Sequence, residues 1–149
     1  MKPTPAFSRL ALLAAALLLS GSALADANLA ARRQYILHCT GCHQADGSGV
    51  PSGGVPDMRS QLGHFLKVPE GRAFLVKVPG TSNAALSNAD IARLLNWMLR
   101  SFSAPTLPAD FAPYTESEVT ALRGAPLDDV AAARATVASR LAEQGIVIR

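Results

Sequence analysis

The chain has 149 residues, a formal net charge of +3, 49% apolar and 5% aromatic residues, and two cysteines. One domain with small appendages is the default at this length. The composition excludes wholesale disorder, a disulfide-dense scaffold and collagen, and two cysteines allow one disulfide or one short cysteine motif.

The first 25 residues read as a targeting segment. Lys2 and Arg9 give a positive start, Leu10 to Leu19 is an unbroken apolar run, and Ala23-Leu24-Ala25 has the small-x-small form of a signal cleavage site. Ten apolar residues fall well short of the roughly 20 that a spanning helix requires. Residues 1–25 are therefore expected to be a cleaved signal peptide. Its removal takes away Lys2 and Arg9 and lowers the net charge from +3 to +1. A near-neutral chain gives no case for nucleic-acid binding. The mature chain holds no second apolar stretch long enough to span a bilayer, and its expected location is the periplasm, where free thiols do not last.

Asp26 to Thr40 is expected to be helical, although Arg32 and Arg33 interrupt its apolar face. Gly41 to Gly63 holds six glycines and two prolines, which implies turns and close backbone approaches organised by a ligand. Leu62 to Val78 reads as a helix split by Pro69 and Gly71. Ser87 to about Arg100 is the clearest element. Ser87-Asn88-Ala89-Asp90 is a capping box, and Ile91, Leu94, Leu95, Met98 and Leu99 follow the helical template, with Trp97 at the edge of the face. Ala104 to Pro113, with three prolines, is a linker or wrapping arm. Thr115 to Glu118 repeats the capping box, and Asp128 to about Ala142 forms a last helix with Val130, Val137 and Leu141 on a narrow stripe, ended by Gly145.

Chemistry concentrates in Cys39-Thr40-Gly41-Cys42-His43, a Cys-x-x-Cys-His run. This is the attachment signature of c-type haem. Two thiols add to the two vinyl groups of one porphyrin, and the adjacent imidazole comes up beneath the iron. Gly41 lets the turn close. A zinc site would need a fourth ligand, a redox dithiol would sit in an alternating α/β chain, and a plain disulfide would not need the histidine. These three remain the alternatives.

From about Leu29 to Phe102 the chain resembles the class I c-type cytochromes. Tyr35 lies four residues before Cys39, Asp46-Gly47-Ser48-Gly49-Val50-Pro51 is similar to that family's D-G-x-G-x-P stretch, and the Ser87–Arg100 helix with Trp97 looks like its C-terminal helix. The resemblance implies a mainly α fold, a small helical domain around one covalently attached haem c. It spans residues 26–103, with a Pro-rich arm and helical extension over residues 104–149. The family's second axial ligand is usually a Met in the loop ahead of the C-terminal helix. Here that stretch, Lys77 to Leu86, holds neither Met nor His. Met58, in the glycine-rich loop and off any amphipathic element, and His64 are the candidate sixth ligands. Lys77, Asn83 and Met98 come behind them. His38 sits too close to the attachment turn.

Three roles follow. The first is an exported electron carrier, not an enzyme, passing single electrons from a periplasmic dehydrogenase to another cytochrome or an oxidase. For this role Lys67, Arg72 and Lys77 form either a docking patch or a merely solvated face. The second is a module binding CO, NO or peroxide at an open sixth position. A peroxidase would need a distal His with an Arg, for which only His64 with Arg59 or Arg72 offers itself. The third is a fixed subunit of a dehydrogenase complex gripped through residues 104–149.

Overall fold

The computed structural model describes residues 26–149, so the expected signal segment lies outside the described residues. Helix α1 covers residues 26–38. It is followed by α2 (Thr40–His43), α3 (Leu62–Phe65), α4 (Pro69–Lys77), α5 (Pro79–Ser82), α6 (Asn88–Ser103), α7 (Glu116–Arg123) and α8 (Val130–Ala142). Among the described residues the only β pairing is an isolated bridge between Val50 and Val55.

The expected capping box forms at the start of α6. Ser87 Oγ accepts from the Asp90 N–H at 3.1 Å, satisfying one of the orphan donors of the first turn. All five template positions, Ile91, Leu94, Leu95, Met98 and Leu99, are buried. The helix runs three residues beyond the expected Arg100 because its last turn is held from outside: Ser103 is buried, and its Oγ donates to the Met58 carbonyl at 3.0 Å. Helix α1 meets α6 through aromatic rings. Tyr35, on the narrow buried stripe Ala31–Tyr35, lies 5.4 Å from Trp97 and 5.1 Å from Phe102. Such pairs add about 0.5–1.5 kcal/mol each to simple burial.

The segment from Leu62 to Lys77 breaks where Pro69 stands. Proline occupies the first turn of α4, where its missing N–H costs nothing. Gly71 does not break α4. It lies within the helix, packed against the Phe65 carbonyl where a Cβ would collide, so it serves a close approach of α3 to α4.

The glycine-rich stretch is tied down by its own backbone. Gly49 N–H donates to the His43 carbonyl at 3.0 Å, Val50 and Val55 exchange bonds at 3.0 and 3.1 Å, and Met58 N–H donates to the Gly47 carbonyl at 2.9 Å. Gly49 has a φ of +64°, and a Cβ there would stand 2.6 Å from the Val55 carbonyl oxygen. Only glycine fits that turn without strain.

The segment after residue 103 lies on the helices before it. The Tyr114 N–H donates to Asn96 Oδ1 at 2.8 Å and its hydroxyl donates to the Arg72 carbonyl at 2.7 Å. The Arg72 guanidinium covers the Tyr114 ring at 4.1 Å and grips Glu118 with bonds of 2.6 and 2.7 Å. Thr115 Oγ1 caps α7 and Asp129 caps α8. Val119, Val137 and Leu141 are buried in the same apolar cluster as α4 and α6.

Candidate cofactor site

The Cys-x-x-Cys-His run begins where α1 ends. Cys39 N–H still donates to the Tyr35 carbonyl at 2.9 Å, but Cys39 leaves helical geometry with φ −123° and ψ −32°. The next turn restarts from it, with His43 N–H donating to the Cys39 carbonyl at 2.9 Å. Cys39, Cys42 and His43 thus share a single turn of backbone. The two thiols are not bonded to each other; Cys39 is half-buried and Cys42 exposed. Burial pushes the Cys39 thiol pKa up. Among the described residues no three His, Cys, Asp or Glu side chains stand close enough to hold a metal ion by themselves.

The turn is fastened from α1. The Tyr35 hydroxyl donates to the Gln44 carbonyl at 2.6 Å. Gln44 takes a positive φ of 60°, an uncommon conformation for a non-glycine residue. This bond holds the chain as it leaves the motif.

His43 has its Nδ1 buried with no partner in formed hydrogen-bond geometry. Burial lowers its pKa, and the Pro56 carbonyl pulls the other way. No hydrogen bond to that carbonyl is formed. A histidine whose Nδ1 is buried in the protein keeps Nε2 as the free, metal-binding nitrogen. Around the turn Ile36, Leu37 and Val50 are exposed apolar side chains, surroundings that suit a porphyrin. Two free thiols on one turn, an imidazole with an orphaned buried Nδ1 and apolar neighbours together fit a covalently held haem.

The other candidates lie elsewhere. Met58 joins the apolar core, 4% exposed, although its loop position had argued against a packing role. Its backbone closes the loop behind His43. His64 is on α3; its Nδ1 is buried without a partner, and burial and then Lys67 lower its pKa. Arg59 is bound to Asp57 and Asp46, and Arg72 to Glu118, so neither arginine stands free beside His64. The Arg72–Glu118 pair also leaves only Lys67 and Lys77 of the three cations suggested for docking. Arg59 holds the Asp57 carboxyl below the usual range, while Asp46 is held low chiefly by Ser48.

Two groups carried no signal as side-chain motifs. The Pro56 carbonyl is backbone, visible only once the loop is folded. Arg123, on α7, donates to the carbonyls of Ser82 and Leu86 at 2.8 Å each, to Asn88 Oδ1 at 2.9 Å and to the Ala84 carbonyl. It clamps the segment ahead of α6, where Ser82 Oγ is buried without a partner.

The chain is 32% identical over 133 residues to a cytochrome c-552 of Thermus thermophilus, an alignment that covers 77% of this chain and 87% of that protein. It is 29% identical over 107 residues to a second Thermus thermophilus cytochrome c-552, covering 60% of this chain and 81% of that protein. No family model and no solved structure matches the chain.

Proposed function

The chain belongs to the class I c-type cytochromes, mono-haem electron carriers with covalent haem c, and we propose that within this family it is an exported carrier that takes single electrons from a periplasmic donor such as a dehydrogenase and delivers them to another cytochrome or an oxidase. The observation that carries the reading is the convergence of Cys39, Cys42 and His43 on one turn with His43 Nδ1 buried and unpartnered. When bound, the haem supplies one reversible ferric–ferrous step.

The residues divide the remaining work. Cys39 and Cys42 would hold the group through two thioether links. His43 would hold its iron through Nε2, its Nδ1 being the nitrogen buried in the protein. Tyr35 holds the turn to α1, and the Gly47–Met58 loop backs the imidazole. Residues 1–25 act as the cleavable signal that brings the chain to the compartment where haem is attached. Among the described residues no helix is long and apolar enough to cross a membrane. Residues 104–149 bury Tyr114, Val119, Val137 and Leu141 within this chain, which supports a free carrier over a subunit gripped through that extension.

Intact mass of the exported protein tests the attachment. The wild type is expected to exceed the residue 26–149 polypeptide by one haem. Cys39→Ala with Cys42→Ala is expected to carry none after acid–acetone extraction. A wild-type mass equal to the bare polypeptide, or lighter by the two hydrogens of a disulfide, contradicts the reading.

A further inference from the structure

An iron held by one histidine is closed only when a second donor reaches it from the opposite face, and thioether and imidazole are the side chains that close it firmly. Apart from His43, the described residues offer His38, His64, Met58 and Met98. His38 directly precedes Cys39 at the exposed end of α1, tethered to the attachment turn without the reach to cross a porphyrin. Met58 is built into the backing of His43: its N–H bonds the Gly47 carbonyl, and the Gly49 N–H two residues on from Gly47 bonds the His43 carbonyl. Two axial ligands of one iron occupy opposite faces, so a residue on the His43 side does not serve the other.

Helix α3 starts from the same place. Gln61 and Leu62 donate to the Met58 carbonyl at 3.1 and 3.3 Å, and Gly63 is packed on Thr106 and Leu107. These lie just past the end of α6, where Phe102 covers Gly47 and Ser103 bonds Met58. The helix that carries His64 is thus fastened to the same wall as Met58. Met98 fills the core stripe of α6. The two phenols are committed to backbone carbonyls, Tyr35 to Gln44 and Tyr114 to Arg72. The stretch from Val78 to Leu86 brings no sulfur and no imidazole, and Arg123 holds its backbone in place.

We propose that this chain supplies no firm second axial ligand, so that its haem site takes a small neutral diatomic molecule of the CO or NO class at ferrous iron. Binding is a ligation through the diatomic's lone pair and changes no oxidation state. The inference rests on the attachment at Cys39, Cys42 and His43 proposed above.

The test is a CO titration of the exported holoprotein, reduced with dithionite and followed by absorption. A saturable shift of the Soret band at one CO per haem, with the same affinity in His64→Gln and Lys77→Ala and the shift retained in Met58→Leu, is the expected result. A c-type spectrum that CO leaves unchanged overturns the proposal and leaves the electron carrier standing. CO refused by the wild type but admitted by one of the three variants overturns it and names the ligand. A reduced spectrum without c-type bands removes the attachment itself, and this inference with it.

Discussion

Tyr35 does two jobs with one side chain. Its ring fills the crossing of α1 and α6, and its hydroxyl fastens the Gln44 carbonyl just past the attachment turn. Burial, then the nearby Cys39 and Asp46, push its pKa up to about 12. The folded value lies above the unfolded value of about 10, so this contribution is fully present below pH 10 and is lost as pH rises toward 12. Tyr35→Phe keeps the ring and removes the donor; it is expected to cost about 1–2 kcal/mol in guanidinium unfolding of the holoprotein at neutral pH. The gap between variant and wild type should narrow between about pH 10 and 12. An unchanged midpoint at pH 7 would show that the bond does not fasten the turn. At this scale the attachment residues were readable because their chemistry is written in side chains three and four positions apart. The aromatic before Cys39 was readable too, but its hydrogen bond was not, since its acceptor is a carbonyl. The Pro56 carbonyl escaped for the same reason.

At the scale of elements, local chemistry decided most helices. The Ser87–Asp90 and Thr115–Glu118 boxes both form caps, because the first turn of a helix must find acceptors within a few residues. The pattern misjudged what depended on distant partners. The last turn of α6 is extended by a bond to Met58, and Gly71 answers to the Phe65 carbonyl. Arg123 is the strongest such case: one guanidinium joins α7 to three carbonyls and a side-chain amide between Ser82 and Asn88. Bonds to a charged donor contribute about 1.5–3 kcal/mol. Arg123→Gln is expected to destabilise the protein by about 2 kcal/mol. It should also speed amide exchange at Asn83, Ala84 and Leu86, with α8 unaffected and Lys recovering part of the loss. Equal acceleration across α8 would mean a global loss and not a released segment.

At the scale of the whole molecule, the extension is part of the core. Tyr114, Val119, Val137 and Leu141 are each at most 3% exposed. Each such side chain adds about 2 kcal/mol by burial, together comparable to the whole margin of about 5–15 kcal/mol on which folded proteins rest. The narrow stripe on α8 had left open whether it covers this chain or a partner; Val137 and Leu141 lie in the same cluster as Phe65 and Val76. The result is a helical domain with one turn that presents two thiols and an imidazole together. A potentiometric titration of the exported protein, followed through its visible spectrum, tests that arrangement most directly. It should give c-type haem bands that interconvert reversibly in a single one-electron wave, identical in the oxidative and reductive directions. A protein without haem bands, or bands that do not return on reoxidation, would contradict an electron carrier built on Cys39, Cys42 and His43.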